Sequence, residues 1–144
     1  MLEFLDAKKF FYEFGRALYK IDGYYSEFAR KSKVKAKLLW VLYALNDGEE
    51  HTQKEVSETW EIPRTTVNTV VKELEANGFV VLSPIKGEKR EMLVSLTESG
   101  KHYAEDKLAE IYAIEGRAFA NLDDDNKKVI DHLNNLLHEL NNQS

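Results

Sequence analysis

Arg64, Thr65, Thr66, Asn68, Thr69 and Lys72 crowd a guanidinium, an ammonium, three hydroxyls and an amide into one short stretch, IPRTTVNTVVKELEANG, from Ile62 to Gly78. These groups make directional hydrogen bonds, and the amide and hydroxyls can both donate and accept. A helix face without a ligand usually mixes Glu with Lys. Here Arg64 and Lys72 are the only charges on the polar side, which suits contact with another polar molecule. An ordinary solvated face is the competing reading of this stretch taken alone. Between the polar positions, Val67, Val70, Val71 and Leu74 recur at spacings of three, one and three. They fall on one side of a 3.6-residue helix and are expected to be buried.

Two other polar concentrations stand out, Lys86, Lys89 and Arg90 in KGEKR, and Arg30, Lys31, Lys33, Lys35 and Lys37 in RKSKVKAK. Each is a candidate phosphate-contacting patch, set against the commoner solvated charge run. His102, Glu105 and Asp106 have helical spacings compatible with a metal, and His132 and His138 share the last helix. Without cysteine or a tight His-x-x-x-His pair, solvent-facing histidine is the better reading, and no metal or cofactor is assigned. A Gly-rich phosphate loop, a supported Ser-His-Asp order and paired carboxylates in a cleft are all missing, so no enzyme is expected.

At 144 residues, with 43% hydrophobic and 31% charged, the chain fits one globular domain. The net charge of -5 argues against generic polyanion binding, and its acidity is concentrated after residue 100. With no cysteine there is no disulfide framework and no thiol chemistry. No apolar run approaches a membrane span, and a cytoplasmic protein without a membrane partner is expected.

The elements that must position these residues follow from periodicity. From Phe4 to Phe28 lie more than half of the aromatic residues, and Phe11, Phe14, Leu18, Ile21, Tyr25 and Phe28 recur at three and four. This predicts a long amphipathic helix, weakened at Gly15 and Gly23, whose aromatic stripe is either core or an intersubunit interface. A second helix is expected over about 35–45 with Leu38, Val41, Leu42 and Leu45 inward. A third starts at Thr52, where TQKE fits a capping box with Glu55 reaching back. It stops near Trp60, and Pro63 can open the next helix because its missing amide would be unpaired there. Helix, tight break, helix is the helix-turn-helix arrangement. After Asn77-Gly78 the period changes to two, giving a β-hairpin from Phe79 to Leu96 with Gly87 at its basic tip. Thr97 is the expected cap of a helix with Tyr103, Leu108, Ile111, Tyr112 and Phe119 inward, ending near Asn121. Asp123, Asp124 and Asp125 begin a last helix with the seam Ile130, Leu133, Leu137 and Leu140, which pairing with the N-terminal helix and a second chain would bury.

This order, and above all TTVNTVVKELEANGFV (65–80) with KREMLVSLTESGK (89–101), resembles the MarR family of winged helix-turn-helix regulators over the whole chain. Arg90 and the LTESG of Leu96 to Gly100 match the family pattern, while Glu88 replaces its usual wing aspartate. The resemblance implies a fold mainly α with a small β-hairpin (α+β) in a single domain, 1–144. A winged helix-turn-helix over 34–100 would lie between dimerisation helices at 1–33 and 101–144. It also implies a homodimer whose two reading helices enter successive major grooves of a pseudo-palindromic operator, with half-sites roughly 34 Å apart.

By residue type, Arg64 is then a candidate for guanine or phosphate, Asn68 for adenine, and Thr65, Thr66 and Thr69 for thymine methyls or phosphates, with Pro63 setting the helix start. Lys72 is assigned to phosphate. At the wing, Arg90 is the candidate for the minor groove and Lys86 and Lys89 for phosphates around Gly87. Thr52 and Gln53 would add backbone contacts. Family members are often released from DNA by small aromatic or phenolic compounds, and Tyr24, Tyr25, Trp40, Tyr43 and Tyr112 are candidates to line such a site. The implied function is that of a sequence-specific regulator of transcription binding double-stranded DNA, a repressor released by an effector. A winged-helix protein-interaction module without DNA binding is the alternative that the acidic net charge suits.

Overall fold

In the computed structural model, which describes residues 1–144, the chain runs α1 (Leu2–Lys31), α2 (Ala36–Leu45), β1 (His51–Thr52), α3 (Gln53–Trp60), α4 (Arg64–Ala76), β2 (Val80–Pro84), β3 (Met92–Leu96), α5 (Glu98–Ala120), α6 (Asp124–Lys127) and α7 (Val129–Asn142). Two compact units result, Met1–Lys107 and Leu108–Ser144. No helix is long and apolar enough to cross a membrane.

The first unit is built around the apolar side of α4. Val67, Val70, Val71 and Leu74 are all buried, as their spacing requires, and the helix packs on α2, α3 and β2. In α2 the buried positions are Leu39, Val41, Leu42, Ala44 and Leu45. Leu38 is only half-buried and Leu39 takes the inner place assigned to it. A mostly apolar helix offers several equivalent faces, so the period alone could not choose between neighbours.

Thr52 caps α3 by accepting from the Glu55 amide at 3.0 Å. The reciprocal half of the expected capping box is replaced: the Glu55 carboxylate lies 3.3 Å from His51 Nδ1. The break after α3 turns through Glu61, whose φ of 51° is left-handed, and Ser57 Oγ donates to the Ile62 carbonyl at 2.6 Å. Pro63 lies one place earlier than expected, as the N-cap of α4 rather than its first residue.

The wing has three strands rather than two. β3 pairs antiparallel with β2 over Val80↔Leu96 to Pro84↔Met92, and β1 adds to its other edge through His51↔Val94 and Thr52↔Leu93. At the base of the wing, α4 ends in Gly78 at φ 75°, with Gly78 donating to the Glu75 carbonyl and Phe79 to that of Leu74. Thr97 then clamps the two sides of the hairpin. Its hydroxyl donates to the Gly78 carbonyl at 2.7 Å and accepts from the Gly100 amide at 3.0 Å, while its own amide donates to the Phe79 carbonyl.

α1 is unbroken through Gly15 and Gly23, and nothing in the chain approaches either glycine. Along its stripe Phe11, Leu18 and Ile21 stay exposed, whereas Phe14, Tyr25 and Phe28 are half-buried. In α5, Ala104, Leu108 and Ile111 are buried. Phe119 departs from expectation: its ring is exposed and carries the Lys127 ammonium 4.4 Å from its centroid. The last helix is divided. Asp123 accepts from the Asn126 amide at 2.7 Å and caps the short α6, and α7 restarts at Val129 with Ile130, Leu137 and Leu140 exposed.

Gly100 is the glycine whose missing side chain matters most. A Cβ there would stand 1.8 Å from the Phe79 carbonyl oxygen and 2.8 Å from its carbon, both backbone atoms that cannot swing aside. Gly100→Ala should therefore destabilise the chain by about 1 to 3 kcal/mol, against the usual helical preference for alanine. Gly116→Ala, with nothing within 4 Å, should gain about 0.5 to 1 kcal/mol. Thermal melts of the two variants should shift in opposite directions.

Candidate nucleic-acid interface

The outer side of α4 presents Arg64, Thr65, Thr69 and Lys72 to solvent, with Thr66 and Asn68 half-buried at its margins. Two of these residues are held by other elements. Arg64 Nη2 donates to Glu91 Oε1 at 3.1 Å, tying the start of α4 to the foot of β3. This engages one of its five donors, and the side chain stays 57% exposed, so donors remain for a further acceptor. Asn68 Nδ2 donates to Gln53 Oε1 at 3.2 Å. The bond engages one N–H and leaves the amide oxygen and the other N–H for a further partner, the pair that adenine N6 and N7 require. Thr69 donates to the Thr65 carbonyl at 2.9 Å. While that bond holds, its hydroxyl can only accept and its methyl is the remaining contact.

The wing tip is a turn closed by Glu88 donating its amide to the Ile85 carbonyl at 3.0 Å, with Gly87 at φ 82° in the third place. Lys86, Lys89 and Arg90 are all exposed there. The Glu88 carboxylate accepts from the Arg90 backbone amide at 3.1 Å and so shapes the turn rather than bracing the guanidinium. Thr52 and Gln53 sit half-buried at the α3 start, each with donors to spare.

The basic run before α2 divides in two. Arg30 and Lys31 are occupied by Glu27 at 2.6 and 3.4 Å, and the Arg30 hydrogen bond pulls the Glu27 carboxyl down to about 2. Lys35 and Lys37 instead line a groove of about 700 Å³ with Thr65, Thr66 and Thr69. Sequence spacing could not show that these two lysines flank the polar side of α4.

Of the effector candidates, Tyr25, Trp40 and Tyr43 come together. Edge-to-face contacts join Tyr25 to Trp40 and Trp40 to Tyr43, both at 5.9 Å, and Tyr43 to Trp60 at 5.5 Å. They line a cavity of about 480 Å³ with Asp22, Ser26, Glu61 and Ile62. Trp60 was not foreseen, because its place depends on the turn after α3. Tyr24 meets Tyr25 edge-to-face outside this lining at 5.7 Å, and Tyr112 belongs to the second unit. The candidate metal residues of α5 and α7 have separate partners: His102 faces Glu98 at 3.8 Å, Glu105 accepts from Asn46, and His138 meets Asn142.

The sequence model of the MarR family matches residues 39–91, from α2 to the foot of β3. An HTH-type transcriptional regulator from Bacillus subtilis, YwoH, is 34% identical over 94 residues, 65% of this chain and 67% of its own length. The chain belongs to the MarR family. The transcriptional repressor NicR of Pseudomonas putida is 37% identical over 59 residues, 41% of this chain, and the match spans 37% of NicR. Among solved MarR structures, NMB1585 of Neisseria meningitidis superposes with a TM-score of 0.70 at 26% identity, over 91% of this chain and 92% of that one. MepR of Staphylococcus aureus in its DNA-binding conformation shares the fold with a TM-score of 0.64 at 17% identity, over 90% and 96%.

One titratable link lies beside the candidate contacts at the α3 start. His51 Nε2 lies 2.8 Å from Asp47 and Nδ1 3.3 Å from Glu55, joining the α2–β1 loop to α3 beside Thr52; across the sheet it meets only the apolar Val94. Burial alone would pull the imidazole down, but the two carboxylates outweigh it and raise it above 6.5. Partial burial likewise pushes Asp47 up, and the Glu49 amide and His51 more than offset this, holding it below 3.8. The histidine's contribution is fully present below 6.5 and is lost as pH rises through its raised value; that of Asp47 is lost as pH falls through its lowered one. His51→Gln should flatten the decline of melting temperature between about pH 6 and 8 relative to the parent. An unchanged slope would remove the link.

Proposed function

We propose that this MarR protein is a sequence-specific regulator of transcription that binds double-stranded DNA as a homodimer. α4 enters the major groove and the Lys86–Arg90 tip lies along the minor groove. The observation that carries this reading is the charge and polarity of one surface. On a chain of net charge -5, the outer side of α4, the wing tip and the Lys35/Lys37 groove gather Arg64, Lys72, Lys86, Lys89, Arg90, Lys35 and Lys37 with neutral hydrogen-bonding groups, against the acids Glu73 in the groove and Glu88 at the tip. Acidic chains bind DNA through such a local patch, because phosphate neutralisation depends on the charges that reach the backbone. The exposed stripes of α1 and α7 support dimerisation, each being an apolar helical face too large for a free surface. A role in transcription fits a cytoplasmic location and needs no catalytic residue.

Effector control is part of the same reading, with the aromatic cavity of α1, α2 and the α3–α4 turn as the site. It adjoins the turn that sets the start of α4, so a ligand there can alter how that helix is presented. NicR is described as a repressor, and Bordetella bronchiseptica BpsR as regulated in DNA binding by 6-hydroxynicotinic acid. Repression relieved by a small aromatic compound is the function proposed here.

Selection of bound genomic fragments, followed by gel shifts at varied salt, tests the reading: affinity should fall steeply with salt on the selected operator. A chain that retards no fragment at low salt would refute DNA binding and favour a protein-interaction role. On that operator Arg64→Ala should cost about 1 to 3 kcal/mol and relax preference at one base pair, whereas Lys89→Ala should weaken all sequences about equally. Glu91→Ala removes the group that holds Arg64 while leaving the guanidinium. It should lose part of the same discrimination and gain slightly on random DNA through loss of one negative charge.

A further inference from the structure

We infer that the effector cavity selects organic cations, an aromatic or alkyl ammonium compound, over the uncharged or anionic members of the aromatic and phenolic compounds that the family resemblance implies. The inference rests on the reading of this cavity as the effector site and specifies its chemistry. Its walls are four aromatic rings, Tyr25, Trp40, Tyr43 and Trp60, joined in a continuous edge-to-face chain with centroids 5.5 to 5.9 Å apart. Edge-to-face geometry alternates ring edges and faces along the chain, and ring faces carry the negative lobe of the quadrupole that attracts a cation. The only charged residues in the lining are Asp22 and Glu61.

Neither carboxylate has an ion-pair partner, whereas nearby Glu27 is taken by Arg30 and Lys31. Glu61 projects from the left-handed residue of the α3–α4 turn, so its place follows from the backbone rather than from a partner that holds it. A carboxylate-bearing ligand entering a cavity of about 480 Å³ would meet two like charges and no donor cation. An ammonium of the same size would meet two unlike charges among aromatic rings. The volume accommodates a benzylammonium-sized ligand and excludes large polycations from full enclosure. A ligand seated between Asp22 of α1 and Glu61 would also bridge α1 to the residue before Ile62 and Pro63, which fixes the start of α4.

The chain's two tryptophans, Trp40 and Trp60, both line the cavity, so intrinsic fluorescence reports its occupancy directly. The full-length protein is titrated with benzyltrimethylammonium, benzyl alcohol and phenylacetate, three probes of similar shape and different charge. The expected order is cation, then neutral, then anion, with the cation about tenfold tighter than phenylacetate. Asp22→Asn and Glu61→Gln, both exposed positions whose folding is checked by melting, should each weaken the cation about fivefold and leave benzyl alcohol unchanged. Equal binding of all three probes, or tighter phenylacetate, would overturn cation selection while leaving the cavity as an effector site. Failure of every probe to quench would remove the effector reading of the cavity and this inference together. Neither result touches DNA binding, which the salt-dependent gel shift decides separately.

Discussion

The close approach of the Phe79 carbonyl to Gly100 is the constraint on which the interface depends. A hairpin that leaves α4 at Gly78 and returns at Thr97 is a long lever, and small rotations at its base would swing the basic tip through several ångströms. The structure opposes this with hydrogen bonds to main-chain atoms and one ring stack. Thr97 bonds to the Gly78 carbonyl, to the Gly100 amide and, through its own amide, to the Phe79 carbonyl, and the Phe79 ring stacks on Tyr103 at 4.1 Å. Such contacts tolerate little change of angle, because each is directional and most involve main-chain atoms with no rotamer to spend. The small residue at position 100 is a requirement of that approach.

With its base fixed, the wing is steadied nearer the tip by an ion pair and at its edge by a third strand. Arg64 and Glu91 join the first turn of α4 to the residue before β3, and β1 extends the sheet to the residues that open α3. The ends of α3, α4 and the wing that carry the candidate contacts are thereby coupled to each other. An exposed pair of this kind contributes little to stability, of the order of 0 to 1 kcal/mol, so its value lies in restricting a long side chain that would otherwise sample many rotamers. The Asn68–Gln53 bond does the same for a shorter side chain, leaving its amide oxygen and one N–H for a further partner.

These links mark the boundary of what the sequence could express. The burial of Val67, Val70, Val71 and Leu74 was legible because a helical period is a local property of four residues. The turn at Gly87 and the cap at Thr97 were legible because each depends on the chemistry of one side chain and its own neighbours. Strand β1 was not: two residues carry no period, and His51–Thr52 becomes a strand only because β3 supplies an edge. Leu38 and Leu39 differ only in which of them meets α4, and Glu55 leaves its capping role because His51 is close. The Arg64–Glu91 pair, the Lys35/Lys37 groove and the arrival of Trp60 beside Tyr43 all join residues far apart in sequence. In each case residue type was informative about chemistry and silent about partner.

The charge distribution explains how one acidic chain can present two surfaces of opposite character. Basic residues near the interface are left unpaired at the wing tip and the α2 start, whereas Arg30 and Lys31 are neutralised by Glu27. Acids near the aromatic cavity are left unpaired in turn, at Asp22 and Glu61. Net charge therefore says little about either surface, because screening in salt limits each patch to groups within about a Debye length, roughly 8 to 10 Å. What distinguishes the two surfaces is which charges the fold leaves without a partner. Around α4 this leaves the cations of the wing tip and the α2 start, and around Trp40 and Trp60 it leaves carboxylates beside aromatic rings. The turn at Glu61 to Pro63 belongs to both, ending the cavity on one side and beginning α4 on the other, and it is the shortest covalent path between the two.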